Sequence, residues 1–199
     1  MMTYDERLEH LLATAANIFA AHGFHSTTMR DLSRATGMSL AGMYYYVEGK
    51  DELLFLIQER CFTEVLTGAR AAIAAETDPL ERLRRFIRHH VGFFTAHMAE
   101  MKVLSHEAES LSGERWETVN RLKRTYVDLL LSVLDSARPE ADSSIDARVA
   151  AFALFGMMNW IYTWYDTEGP VPPDRLADQL AELFMLGLVP STVPAAQQG

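Results

Sequence analysis

The chain has 199 residues, 49% of them hydrophobic, and a formal net charge of −9 at pH 7. That length and composition suit a single domain or a small domain plus a larger one, and the acidic balance speaks against a protein that holds nucleic acid by bulk positive charge. The single cysteine, Cys61, rules out an intramolecular disulfide and fits a reducing, cytoplasmic setting. The first residues, MMTYDERLEH, carry acids and no apolar run, so no signal peptide is expected. The longest apolar stretch, Val149 to Met158, falls short of the roughly 20 residues that cross a bilayer.

Apolar residues recur at three- and four-residue steps almost throughout, and β-type alternation is nearly absent, which predicts an all-α protein of about nine helices. Leu8, Leu11, Leu12, Ala15, Ile18 and Phe19 form the stripe of a first helix that Gly23 ends. Two short helices follow, over about 28–35 and 39–47, then a long one from Lys50 to about Ala75. Asp78-Pro79 opens the next, as N-cap and first helical residue. Further helices are expected over 80–96, 98–109, 114–136, 145–166 and 173–187, parted by Ser112-Gly113, by Pro139 to Ser144 and by the Gly169–Pro173 run. The Pro-, Ala- and Gln-rich residues 190–199 read as a flexible tail.

The stretch TTMRDLSRATGMSLAGMYYYVEGKDELL, Thr27 to Leu54, carries the chemistry. Thr28 and Asp31 have capping-box spacing, Gly37 supplies a left-handed stop, and Ser39 can cap the helix that follows. Two short helices joined by a Gly-containing turn are a helix-turn-helix, whose second helix enters the DNA major groove. Leu40, Ala41, Gly42 and Tyr45 would then face the groove, and Met43 and Val47 the core. Small Ala41 and Gly42 let the backbone approach DNA. Tyr44 and Tyr46 reach sideways, where hydroxyls meet phosphates, with inward packing the other reading for Tyr46. Residues 1–50 hold four basic side chains (Arg7, Arg30, Arg34, Lys50) against five acidic ones. Binding must therefore rest on placed donors and helix N-termini.

Residues Leu11 to Leu54, with the apolar first helix, Gly23-Phe24, Thr27-Thr28, the Ala35–Gly37 turn, Ser39, Tyr44, and Lys50 with Leu53-Leu54, resemble the N-terminal domain of TetR-type transcriptional regulators. Met43, Val47, Ala41-Gly42 and Gly49 depart from the usual residues without removing a phosphate donor. The resemblance implies a DNA-binding domain at 1–50 and a helical ligand-binding and dimerisation domain at 51–189. It also implies a homodimer on a palindromic double-stranded operator, and a repressor released by a small ligand. It carries phosphate contacts onto Thr28, Tyr44 and Lys50. The recognition-helix face falls on Ser39, Leu40, Ala41, Gly42 and Tyr45, and a backbone or base contact on Arg30. The last two helices become a four-helix dimer interface, with Phe152, Gly156, Asn159 and Trp160 on it. Independently, Phe152 to Gly169 is apolar all round its helical wheel, as expected of a helix facing both its own core and a partner, with a helix buried wholly within its own chain as the other reading.

Asn159, Trp160, Tyr162, Trp164 and Tyr165 also resemble the branch of that family that regulates fatty-acid or acyl-CoA degradation, which implies an acyl-CoA thioester as effector. Phe62, Phe86, Phe93, Phe94, Met98, Met101, Trp116 and Tyr126 are the candidate lining of an adaptable apolar pocket, against the plainer reading of ordinary core. The Arg82–His90 cluster and Arg121–Arg124 read either as partners for CoA phosphates or as solvated faces. Two other functions stay open: an efflux repressor sensing a drug-like cation, with Trp116 and Glu107 or Glu109 as its hints, and a helical ligand-binding or enzymatic bundle that does not use DNA. No catalytic motif, cofactor loop or convergent metal set is legible, so no enzyme activity, cofactor or metal is expected.

Overall fold

The computed structural model describes residues 3–107, 109–137 and 145–188. The expected 190–199 tail and most of the expected turn before Ile145 lie outside the described residues. Within them the chain is all-α, with nine α-helices and no strand: α1 (Tyr4–His22), α2 (Met29–Thr36), α3 (Leu40–Tyr44), α4 (Lys50–Ala74), α5 (Pro79–Ala96), α6 (Met98–His106), α7 (Gly113–Ala137), α8 (Ala147–Asn159) and α9 (Pro173–Leu188). Two compact units are formed: one from residues 1–68 and 93–126, the other from 69–92 and 127–199.

In the first unit α1 begins at a capping box between Thr3 and Glu6 and stops at Gly23, whose φ of 83° favours glycine. Its stripe of Leu11, Leu12, Ala15, Ala16 and Phe19 is buried. The Thr28–Asp31 box opens α2, and Gly37, at φ 69° and ψ 8°, closes it in the left-handed region. Helix α3 is shorter than its sequence suggests. It ends at Tyr44, where the Tyr46 and Val47 amides both donate back to Met43 O, at 2.9 and 3.1 Å, tightening the last turn, and Val47 stays in the core. That core joins Leu32, Met43 and Val47 to Leu53, Leu54 and Ile57 of α4, Val103 of α6 and Val119 of α7. The helix-turn-helix therefore shares one hydrophobic cluster with α6. Helix α6 itself ends at His106, three residues earlier than its periodicity suggests, with Glu107 as C-cap.

In the second unit, Leu83, Phe86, Ile87 and Val91 of α5 pack inward, as do Leu154 and Phe155 of α8. Arg88 holds Asp178 of α9 at 2.6 Å. The expected 145–166 helix is α-helical only to Asn159. It then narrows to a 3₁₀ turn over Trp160–Thr163, and the loop beyond is tied by Tyr165 Oη donating to Val171 O at 2.7 Å.

His90 is buried in this unit, 3.0 Å from Asn159 Oδ1, to which the neutral imidazole donates. Burial pushes its pKa down from 6.5 to about 3. The folded protein thus binds one proton fewer than the unfolded chain between those two values. The stability this group allows is intact above about pH 6.5 and falls as pH drops below it, by about 1.4 kcal/mol per pH unit. Urea unfolding should therefore show roughly 2 kcal/mol lost at this site between pH 7 and pH 5. That part of the slope should vanish in His90→Gln; equal slopes in the two proteins would contradict the assignment.

Candidate nucleic-acid interface and effector region

Ser39 Oγ accepts the Gly42 amide at 3.0 Å and so anchors the start of α3. Outward from that anchor, Ala41, Tyr44 and Tyr45 are exposed, Tyr45 to 73%, while Leu40 and Gly42 are half-buried. Met43 is fully buried beneath them. The three consecutive rings have different surroundings. Tyr44 and Tyr45 project to solvent, whereas Tyr46 packs against the core and lies 4.7 Å from the ring of Tyr4. Tyr4 also meets Tyr45 edge-on at 6.0 Å. Sequence reasoning missed this buttress, since no local pattern joins residues some forty positions apart.

Thr28 is exposed, and its hydroxyl donates to Asp31 Oδ2 at 2.6 Å. That bond and the Thr28 amide hold the Asp31 carboxyl below its ordinary range. Arg30 is exposed, and Arg34 pairs with Asp31 at 2.6 Å. Lys50 is placed differently from a simple surface donor. Its ammonium donates to Phe24 O at 2.7 Å, Thr27 O at 3.0 Å and His25 O at 3.4 Å, and stands 4.3 Å from the centre of the Phe24 ring. All three of its protons are used on the α1–α2 turn. A phosphate contact would have to take one of them, although the positive charge stays beside Thr28 at the N-terminus of α2.

The same turn is gripped by a residue to which sequence reasoning gave another part. Glu107, one of the two carboxylates suggested for a cationic drug, accepts the Phe24 amide at 3.3 Å and the Ser110 hydroxyl at 2.7 Å. Gln58, wholly buried on α4 and absent from the sequence reading, donates to Glu107 O at 3.1 Å. Gln58 Oε1 is left without a partner among the described residues, which costs about 1–3 kcal/mol of stability relative to a satisfied group.

The suggested pocket lining is not gathered into one cavity. Phe94, Met101 and Tyr126 are buried in the first unit, and Phe93 stacks on His97 with ring centres 4.3 Å apart. Phe62 and Met98 are half-buried, Trp116 is 42% exposed, and Phe86 belongs to the second unit, against His90 and Phe155. A cavity of about 260 Å³ in the first unit is lined instead by Glu9, Leu12, Ala13, Ile57, Arg60, Cys61, Glu64, His97 and Glu100. Of the two basic runs, Arg84, Arg85 and Arg88 form ion pairs with Glu76, Glu81 and Asp178, the solvated-face arrangement. Lys123 lies 5.4 Å from the centre of the Phe62 ring, and burial lowers its pKa. Cys61 is buried, and that burial pushes its thiol pKa upward. Among the described residues no three potential ligands converge on a metal position, and no helix is long and apolar enough to cross a membrane.

On the dimer face suggested by the sequence, Phe152 and Trp160 are 55% and 61% exposed, and Gly156 is open. Asn159 is half-buried, with its amide on His90.

An exposed recognition helix on a helix-turn-helix, followed by an all-helical remainder, defines a DNA-binding regulator. The chain belongs to the TetR family. Residues 11–57 match the family model for bacterial regulatory proteins of the tetR family, and residues 76–188 match that for the tetracyclin repressor-like C-terminal domain. Among curated proteins it is 24% identical over 186 residues to the HTH-type transcriptional repressor KstR2 of Rhodococcus jostii (strain RHA1), covering 92% of this chain and 91% of that one. Among solved structures it is similar to AibR in complex with isovaleryl coenzyme A and operator DNA. The TM-score is 0.80 at 29% identity, over 89% of this chain and 97% of AibR. KstR2 of Mycobacterium tuberculosis shares the fold, with a TM-score of 0.86 at 20% identity over 94% of this chain and 97% of that one.

Proposed function

We propose that this protein is a cytoplasmic transcriptional repressor that binds a palindromic operator as a homodimer and releases it when an acyl-CoA thioester binds. The likeness to AibR, whose structure holds both isovaleryl coenzyme A and operator DNA, carries the reading. KstR2 is likewise described as a repressor, and the weaker likeness to the fatty acid metabolism regulator protein of Bacillus subtilis, at 18% identity, points the same way. The protein carries out no reaction of its own: α3 reads the operator, and the helices beyond about residue 50 read the effector.

Each subunit offers one recognition helix, so the operator repeats its half-site about the two-fold axis. Ser39, Leu40, Ala41, Gly42 and Tyr45 meet base edges, while Thr28, Arg30 and Tyr44 meet the backbone beside them. Phe62, Phe93, Phe94, Met98, Met101 and Tyr126 are the apolar side chains of the first unit available to an acyl chain. Because several are closely packed, the chain enters by displacing them, which the flexible methionines permit. The apolar area it buries contributes about 25 cal/mol per Å² before association costs. Lys123, which makes no ion pair among the described residues, and Arg124 beside it suit a CoA phosphate better than the paired arginines of α5.

The test is a competition titration of the operator complex with acyl-CoAs, free fatty acids and cationic drugs. At least a tenfold loss of operator affinity is expected with a CoA thioester, a coupling of about 1.4 kcal/mol. Release by drugs and by no thioester would overturn the assignment. Equal release by free acids would remove the phosphate contacts from it.

A further inference from the structure

We propose that Glu107 is the positioning residue through which the end of α6 sets the α1–α2 turn, and with it the N-terminus of α2, so that operator affinity depends on this carboxylate. The inference rests on the operator-binding reading above and deepens it.

Phe24 is held at both of its main-chain polar groups, the N–H from one side and the carbonyl from the other. Glu107 Oε1 accepts the Phe24 N–H at 3.3 Å, while Lys50 Nζ, at the first residue of α4, donates to Phe24 O at 2.7 Å and Thr27 O at 3.0 Å. The Glu107 side chain is only 12% exposed, with His25 Nε2 3.9 Å from its second oxygen, so its bonds form largely out of water. Its main-chain oxygen takes the Gln58 amide at 3.1 Å, which ties the same residue to α4. Just before the gripped segment stands Gly23, at φ 83° with open space where a side chain would begin, a backbone position free to act as a hinge. Just after it stands Thr28, the N-cap of α2. A displacement of the end of α6 therefore pulls on Phe24 N, and one of the start of α4 pulls on Phe24 O and Thr27 O. The movable segment leads directly into the helix that supports α3. Among the described residues Gln58 Oε1 is buried without a partner while its amide bonds Glu107 O, as expected where a contact is kept for position more than for stability.

The experiment uses the full-length protein and compares wild type with Glu107→Ala, Glu107→Gln, Lys50→Met and the Glu107→Ala/Lys50→Met double variant. Operator affinity is measured by fluorescence anisotropy, and amide hydrogen exchange is followed over residues 23–28. Direct binding of isovaleryl-CoA is measured by calorimetry without DNA. Glu107→Ala should lose about tenfold in operator affinity and exchange faster over 23–28, with isovaleryl-CoA binding unchanged and a lowered melting temperature, because the buried Phe24 N–H loses its acceptor. Glu107→Gln, which keeps an acceptor for Phe24 N–H, should retain most of the affinity. The double variant should lose less than the product of the two single losses, because both residues act on the main chain of Phe24. Wild-type exchange over 23–28 in Glu107→Ala, or multiplicative losses in the double variant, would overturn the proposal. If the thioester fails to bind or to release the wild type, the effector assignment falls while the exchange and the cycle still decide the role of Glu107. If no operator is bound at all, the exchange comparison alone decides it.

Discussion

Replacing Gly42 with tryptophan abolishes specific operator binding and leaves the helical fold in place. A Cβ at Gly42 would stand 3.1 Å from Ser39 Oγ, the oxygen that caps the Gly42 amide. Ser39 is exposed and can turn away, at a cost of about 1 kcal/mol for the lost cap. The helix survives that loss because Met43 and Val47 hold it from within. On its outer side the ring holds α3 off the groove floor, so that Ala41 and Tyr45 lose the base edges together. Each good base contact discriminates by about 1–3 kcal/mol, so losing two lowers affinity roughly 100-fold or more. Anisotropy titration on an authentic operator, with circular dichroism as the control for folding, reads the outcome. A Gly42→Trp protein that binds like wild type would show that α3 is not the reading helix. Gly42→Ala, which crowds only the Ser39 hydroxyl, should fall between the two.

Replacing Gly156 with glutamate gives a folded chain that no longer dimerises. Within the subunit nothing lies within 4 Å of a Cβ at Gly156, so the substitution meets no steric resistance there. Replacing a helical glycine even favours α8, by roughly 0.5 kcal/mol. The expected effect comes from outside the subunit. Val149, Phe152, Gly156 and Trp160 recur at three- and four-residue steps along one edge of α8 and its 3₁₀ extension, and all are exposed, as are Leu183 and Leu186 of α9. An exposed apolar stripe of this kind is the expected mark of a face for association. A second copy fits it because the glycine allows close helix approach and because a two-fold axis pairs the same patch with itself. Burying an uncompensated carboxylate there costs about 3–5 kcal/mol, and the axis introduces two of them. Sedimentation should show a wild-type dimer and a Gly156→Glu monomer at micromolar concentration, with operator affinity lost in the variant because one half-site is held alone. A dimer that persists in Gly156→Glu would move the interface elsewhere.

Much of the helix-turn-helix was legible because its determinants are local. The Thr28–Asp31 box, the left-handed Gly37, the Ser39 cap and the inward Met43 and Val47 each follow from residues within a few positions of one another. The shortened α3 was not legible, since the three tyrosines interrupt no helical pattern, and the tightening appears only where the Tyr46 and Val47 amides both turn to Met43 O. At α8 the change to a 3₁₀ turn at Trp160 was hidden for a similar reason: an aromatic run keeps its helical look while the backbone hydrogen-bonding step shortens.

The parts played by Lys50, Glu107 and Asn159 divide along the same line. Their chemical types are plain in the sequence: an ammonium, a carboxylate and an amide, each able to serve several partners. Which partner each one takes depends on groups 26, 83 and 69 positions away, respectively. The sequence by itself determined that this chain is all-helical, that residues 28–47 form a helix-turn-helix with Met43 and Val47 inward, and that it resembles TetR-type regulators. Helix periodicity, caps and glycine turns act over three or four residues and need no distant partner. Only the tertiary structure decided that Lys50 grips the α1–α2 turn, that Glu107 meets it from the other side and that Tyr4 braces the recognition helix. These contacts exist because a shared core brings α1, α4 and α6 together, and a linear pattern holds no record of which groups then meet.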